Sequence, residues 1–422
     1  MIVLTVNCGS STLKFDVIQA GEQEATAAPR KAHGVVDRIG GAGGTFYAII
    51  EGGDRVRAET AGVDHDGAAR RMMEWLESQG LLEPQGIEAI GHRVVHGGYR
   101  FAEPVIIDDE VTDAIEETTA LAPLHNEPAL NAIRTVRTMV RRDVPMVAVF
   151  DTCFHSAMPR QASRYAIAQE LVDRHHIRRY GFHGLAHRFM VERYADISER
   201  SRSDVRVITL QLGNGCSAAA ISGGQSVDTS MGLTPLEGLM MGTRCGDVDP
   251  SLVAVLSRAE GVDVAEVEEW LNNRSGLLGV SGVSADMRQL LEAEREGNGA
   301  AALAVEMFCY RVKKYVGAYL NVLGGAEAVV FGGGIGENTP SVRSRVCAGM
   351  EWCGLKLDAD RNEAAMGTEA RISKDRSTMA AYVIPVDEAV LIARDTARCL
   401  GGGRKRIGRG MNEKGRSHRG AR

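Results

Sequence analysis

The stretch VLTVNCGSSTLKFDVI, residues 3–18, sets two apolar runs on either side of an Asn/Gly/Ser turn. Two readings fit it. One is a plain hairpin, two strands joined by a tight turn. The other is a hairpin whose turn also cups a phosphate, because successive backbone N–H groups form an anion nest and Gly lets a ligand approach closely. The same organisation returns at RVITLQLGNGCSAAAISGG, residues 206–224: apolar strand, Asn/Gly/Ser turn, apolar strand. Such an echo suggests two related halves.

The rest of the chain supports an alternation of strands and helices. HDGAARRMMEWLESQGLL, 65–82, carries Met72, Met73, Leu76 and Leu81 at helical spacing, with Gly80 as a stop. IEAIGHRVVHGG, 87–98, reads as a strand running into a Gly turn, and VPMVAVFDTCFH, 144–155, as a buried strand ending in Asp-Thr. EPALNAIRTVRTMVRR reads as an amphipathic helix opened by Pro128. LAVEMFCYRVKKYVGAYLNVL, 303–323, is a long helix. EAVVFGGGIGEN, 327–338, is a strand breaking into a Gly-rich loop, and AAYVIPVDEAVLIARDTARCL, 380–400, a strand followed by a helix. This alternation predicts an α/β protein.

Length and composition bound the answer further. At 422 residues, two domains are expected, and 44% hydrophobic residues are enough for sizeable cores. The 49 glycines gather in a few clusters, and a net charge of −6 shows no broad nucleic-acid footprint. The eight cysteines contain no C-x-x-C pair, and no signal peptide or spanning apolar run is seen. Reduced thiols in a cytoplasmic protein and no membrane partner are the reading. Residues 401–422 hold eight Lys/Arg against one Glu, which predicts a disordered basic tail. That tail is either a solvated extension or an arm for RNA or an anionic surface.

Three Gly-rich turns follow apolar strands, at NCGSST, LGNGCS and FGGGIGEN. None has P-loop spacing, so together they argue for a nucleotide held between two domains by hairpin turns. Lys14 would add a point charge for phosphate. Arg93 in GHRVVHGG and Arg244 in MMGTRCGDVDP sit in apolar, Gly-rich surroundings, and Arg suits planar grip of carboxylate or phosphate. A structural ion pair with Asp247 or Asp249 is the ordinary alternative for Arg244. Asp151 ends a buried strand, where open α/β sheets place ligand-facing groups. His183 lies in RRYGFHGLAH between glycines and aromatics. No His/Cys cluster has zinc spacing, so oxygen ligands for Mg²⁺ are sought, and Asn7 and Glu388 are the candidates.

Taken together the motifs resemble the acetate kinase family, within the actin/hexokinase/Hsp70-type phosphotransferases. VNCGSSTLKF, GHRVVHGG, LAPLHNEP, FDTCFH, RRYGFHG, LGNGCS, DTSMGLTPLEGLMMGTRCGDVDP, FGGGIGEN and IARDT run in family order from residue 3 to about 398. The 228–250 segment is the most specific. The resemblance implies a two-domain actin/hexokinase-like (ribonuclease H-like) fold with a central cleft. Domain I would take residues 1–151 plus 388–400, and domain II, the nucleotide side, residues 152–387. It implies reversible transfer of the γ-phosphoryl group of ATP to acetate, giving acetyl phosphate, a precursor of acetyl-CoA. Propionate or butyrate as acceptor, or pyrophosphate as donor, are the alternatives.

Residue by residue, the resemblance implies Asn7 and Glu388 as metal positions for Mg²⁺, with Mn²⁺ as a substitute. It implies Arg93, Asp151, His183 and Arg244 as catalytic residues. Arg93, Val95, Leu124 and Pro235 would bind the small carboxylate. On the ATP side it implies Lys14, the loop Gln211, Leu212, Gly213, Asn214 and Gly215, the trio Asp286, Met287 and Arg288, and the run Gly333, Gly334, Ile335, Gly336 and Glu337. Gln211 stands where the family carries His. A homodimer is also implied. Acetate is already ionised at neutral pH, so Asp151 is expected to orient an Arg or the metal's waters rather than remove a proton.

Overall fold

The computed structural model describes residues 1–21, 28–41, 43–119 and 122–401, apart from the side chains of 123–125. The basic tail beyond residue 401 and the side chain of Leu124 lie outside the described residues.

Two sheets organise the chain. The first contains β1 (Ile2–Cys8), β2 (Thr12–Gln19), β3 (Arg30–Asp37), β4 (Thr45–Ile50), β5 (Arg55–Glu59), β6 (Ala89–Val94), β7 (Val105–Ile106) and β8 (Met146–Phe150), in the order β5-β4-β3-β2-β1-β6-β8-β7. The second contains β9 (Arg206–Leu212), β10 (Cys216–Ser222), β11 (Gln225–Thr229), β12 (Ala328–Gly332), β13 (Ala370–Arg371) and β14 (Ala380–Val383), in the order β11-β10-β9-β12-β14-β13. In each sheet a first hairpin is antiparallel and the next neighbour, reached through helices, is parallel: β1 with β2 then β6, β9 with β10 then β12. The predicted echo of residues 3–18 at 206–221 is therefore an echo of topology.

Burial follows the strand period. Along β8, Met146, Ala148 and Phe150 enter the core of the first sheet. Val147 and Val149 enter a layer shared with the second sheet. That layer also takes Leu185, Phe189 and Met190 of the helix Gly184–Ile197, Val207 of β9, and Leu391 and Ile392 of the last helix. The last helix, Glu388–Gly401, packs on β1, β2, β6 and β8 of the first sheet. The far face of the second sheet is covered by the long helix Gly299–Leu323.

Two local expectations change. The helix read as opening at Pro128 opens at Pro123, and Pro128 lies inside it. Either proline could start a helix on its own; the bond from Asn126 N–H to Ala122 O at 2.9 Å settles on Pro123. The Gly-rich run after β12 is a short helix, Gly333–Asn338. Its orphan N-terminal donor is satisfied because Glu337 Oε1 accepts the Gly333 N–H at 2.8 Å. None of the eight cysteines forms a disulfide. Among the described residues no helix is long and apolar enough to cross a membrane.

Candidate active site

Strand register builds the first half of the site. Asn7 stands opposite Lys14 across β1–β2 and opposite Arg93 across β1–β6. Arg93 in turn pairs with Val149, two residues before Asp151. Arg93 donates Nε–H to Asp151 Oδ1 at 3.0 Å and Nη2–H to Oδ2 at 2.5 Å, and Nη1–H to Asn7 Oδ1 at 2.8 Å. A guanidinium has five N–H bonds, so two remain outside these three contacts. Asn7 Nδ2 donates to Glu388 Oε2 at 2.9 Å. The arginine on one side and the carboxylate on the other fix which way the Asn7 amide points. Lys14 is exposed at the rim of this cluster.

Burial sets the electrostatics. The Asp151 side chain is fully buried and that of Arg93 is 13% exposed. Burial alone would loosen the Arg93 proton, but Asp151 and Glu388 outweigh it and hold the guanidinium more firmly charged. Burial pushes the Glu388 carboxyl above its usual range, against the pull of Arg93. A half-buried carboxylate with that bias is a place where added positive charge is favourable.

The second half comes from β9, β10 and the 228–250 segment. Gly213 N–H bonds Gly215 O at 3.1 Å, which closes a tight turn between the strands. A Cβ on Gly215 would stand 3.3 Å from His183 Cε1, 3.4 Å from Nε2 and 3.6 Å from Arg244 Nη1, so the three meet at this turn. Arg244 Nη1 donates to Pro235 O at 3.4 Å, and burial lowers the guanidinium from its ordinary value. Its loop is pinned by Gly276, whose φ of +61° and 2.3 Å clearance from Met241 O leave no space for a side chain. Gln211 has a buried Oε1 without a hydrogen-bond partner among the described residues.

The halves touch. Gly184 packs directly on the Asp151 carbonyl, which sets His183 beside the first cluster. His183 has a left-handed φ of +55° as the residue capping the helix Gly184–Ile197, and no side-chain cap bond is made there. His96 of the GHRVVHGG turn bonds Leu233 O at 3.2 Å and lies edge-on to Phe182. Val95 is buried with Phe182, Met231 and Met241, and Pro235 is half-buried nearby in sequence.

The nucleotide-side candidates divide. Gly333 meets Leu212 O at 2.6 Å, measured from a Cβ built on it, so this run adjoins the 211–215 turn. Gly334 is exposed and Ile335 half-buried. Glu337 Oε1 is taken by Gly333 N–H and by Val386 N–H at 3.1 Å, which ties the run to the segment leading to Glu388. Asp286 caps the helix Met287–Arg295 and holds Arg288, while Met287 is buried in the core.

Among the described residues no group of three or more His, Cys, Asp or Glu could by itself hold a metal. Mg²⁺ does not require one, since it keeps several waters and binds through one or two protein oxygens plus phosphates. Glu388 offers hard oxygen donors for such a site and its upward bias agrees with it; Asn7 adjoins it through Nδ2, with its Oδ1 held by Arg93.

Several residues around the site carried no sequence signal strong enough to single them out. Asn126 is fully buried, accepts His96 N–H at 3.0 Å and donates to His96 O at 2.9 Å, which braces the turn after Arg93. Arg179 Nη2 donates to Glu237 Oε1 at 2.6 Å, and Tyr165 donates to the other oxygen. That trio anchors the segment carrying Pro235 and Arg244. His187 lies four residues beyond His183, one helical turn along, and that spacing was the available clue.

The Acetokinase family model matches residues 2–394. The chain is 48% identical over 413 residues to an acetate kinase of Solibacter usitatus, covering 95% of this chain and 98% of the relative. It superimposes on the crystal structure of Porphyromonas gingivalis acetate kinase with a TM-score of 0.85 and 40% identity, covering 94% of this chain and 99% of that one. A propionate kinase from Francisella tularensis matches with a TM-score of 0.86 and 36% identity over the same shares.

Proposed function

The chain belongs to the acetokinase family, and from that premise we propose that it is an acetate kinase that moves the γ-phosphoryl group of ATP onto acetate, reversibly. The observation that carries the reading is that Arg244 meets His183 at Gly215, while Gly184, the residue after His183, packs on Asp151, the buried ion-pair partner of Arg93.

An acetate oxygen attacks the γ-phosphorus while the bond to the β,γ-bridging oxygen breaks, and ADP carries away the negative charge. Acetate is ionised at neutral pH, so no base has to deprotonate it. The demands are positioning and neutralisation of charge on the equatorial oxygens. The two N–H bonds left on Arg93 orient the carboxylate nucleophile, with Asp151 fixing the guanidinium plane. Arg244 and His183 donate to the phosphoryl oxygens. Val95 and Pro235 enclose the methyl group. The backbone of 211–215 and 333–336 carries the phosphates and adenosine, with Lys14, Asp286 and Arg288 at the rim. Asn7 and Glu388 would hold Mg²⁺, which would neutralise charge on the phosphates. Mn²⁺ is expected to substitute.

Under this reading domain I is 1–151 with 388–400 and domain II is 152–387, closing over the cleft to exclude water. A cytoplasmic homodimer completes the proposal.

Propionate is the second reading, favoured by the comparable structural likeness to a propionate kinase, at TM-scores of 0.86 and 0.85 but with 36% identity against 40% for the acetate kinase. One methylene changes binding by only about 1–3 kcal/mol, so the two acceptors overlap. A hydroxamate assay crossing acetate, propionate and butyrate with ATP, GTP and pyrophosphate tests both. The highest kcat/KM is expected with acetate and ATP. A higher value with propionate would favour the second reading, and no product with any pair would remove both.

A further inference from the structure

Behind His183 lies a chain of side chains on the face of the second sheet that packs against the helix Gly184–Ile197. His183 Nδ1 is 2.9 Å from Ser217 Oγ. The same oxygen is 2.7 Å from His187 Nε2, and His187 Nδ1 is 2.7 Å from Thr209 Oγ1. Ser217, His187 and Thr209 are fully buried. Around them lie Val207, Ala219 and Ile221 on the same strands and Met190 on the helix, with the buried His155 ring 5.6 Å from that of His187. Three polar residues in this layer are costly unless each is satisfied, and aliphatic residues would pack there without that cost. The chain leads to one side chain at the cleft, His183, whose ring edge lies against Gly215 and Arg244.

Counting protons leaves three arrangements. His187 is kept neutral by burial, with the neighbouring His155 and His183 adding to the effect, so it carries one N–H. Each hydroxyl supplies one more. In the first arrangement Thr209 donates to His187 Nδ1, His187 Nε2–H donates to Ser217, and Ser217 donates to His183 Nδ1. The His183 proton is then on Nε2. In the second every bond is reversed, and in the third Ser217 accepts from both rings and turns its own proton elsewhere; in both of these the His183 proton is on Nδ1. Nε2 would then turn a lone pair toward anionic phosphoryl oxygens, or take a second proton and become a cation beside Arg244. The first arrangement avoids both.

We propose that Ser217 and His187, backed by Thr209, are positioning residues that hold His183 as the neutral tautomer protonated on Nε2, so that an N–H donor faces the transferring phosphoryl group. The proposal rests on the kinase reading for what His183 faces, but the tautomer itself can be observed without turnover. Ser217 touches no substrate; it acts through His183.

The test is ¹⁵N NMR of the histidine-labelled protein at pH 7.5, with His183→Asn assigning the His183 signals. The wild-type ring is expected to show a protonated Nε2 and a bare Nδ1. In Ser217→Ala the two tautomers mix, and kcat falls by at least about tenfold while KM for ATP and acetate stays within about twofold, as for loss of an orienting partner. A wild-type ring protonated on Nδ1 overturns the proposal, and so does an unchanged tautomer in Ser217→Ala. If that variant does not fold, the wild-type spectrum alone decides. A wild-type protein that forms no acyl phosphate removes the kinase reading, while the spectrum still judges the tautomer.

Discussion

Arg93 and Asp151 meet in a two-point ion pair, Nε to Oδ1 at 3.0 Å and Nη2 to Oδ2 at 2.5 Å, with the Asp151 side chain fully buried. Removing one buried charge strands the other, which typically costs about 3–5 kcal/mol. Asp151→Asn keeps the shape and loses the charge. It is expected to lower unfolding free energy by roughly 3 kcal/mol in urea melts, and kcat by about 100-fold as Arg93 loses its orientation. An Asn variant with most of its turnover intact would show that the charge is dispensable.

Arg244 meets His183 at Gly215 and reaches back to Pro235 O. Lysine keeps the charge but not the planar fork. Arg244→Lys is therefore expected to lose about 10²–10³ in kcat, the range for removing one donor to a transition-state oxygen. Steady-state kinetics at saturating ATP and acetate measure it, and near-wild-type turnover would remove Arg244 from the transition state.

Gly333 has φ +75°, and a Cβ there would stand 2.6 Å from Leu212 O. Gly333→Ala is expected to cost about 1–3 kcal/mol of strain. The displaced backbone belongs to the 211–215 turn, so KM for ATP should rise by about tenfold, equivalent to ~1.4 kcal/mol. KM for acetate should change little. An equal rise in both would argue that the two segments act on the fold as a whole.

Four buried histidines govern acid stability. Burial depresses His92 to about 3, His96 and His155 to about 4, and His187 well below its ordinary value. Each stays neutral in the folded state and takes up a proton on unfolding once the pH falls below about 6.5. Their contribution is thus complete above that pH and is lost as the pH drops toward the folded values. Unfolding free energy should fall by up to about 5 kcal/mol per pH unit well below pH 6, near 1.4 for each histidine. Urea melts at pH 7.5, 6.5 and 5.5 check the slope. A flat profile would mean that these rings are already charged in the folded protein.

Much of the fold was legible because strand and helix periods and Gly turns are local signals. The hairpins at β1–β2 and β9–β10 were read directly from alternating apolar runs around Asn/Gly/Ser. Arg93 and Asp151 stood out singly, as charges at the ends of apolar strands. Their pairing was not legible, since it depends on the parallel register of β1, β6 and β8 across 58 residues. Thr209 and Ser217 were hidden for the same reason. They sit inside apolar runs, and only packing of the helix Gly184–Ile197 on the sheet gives them His187 as a partner. The Gly333–Asn338 helix reads as a loop in the sequence because glycine disfavours helix, while the Glu337 bond that caps it is visible only in three dimensions.

The central claim is the transfer itself. The most direct measurement is ³¹P NMR of the purified protein with ATP, acetate and Mg²⁺. The γ-phosphate signal of ATP should decline while acetyl phosphate and ADP appear in equal amounts, and adding acetyl phosphate with ADP should run the change backward. Unchanged ATP, or inorganic phosphate released without acetyl phosphate, would contradict the account.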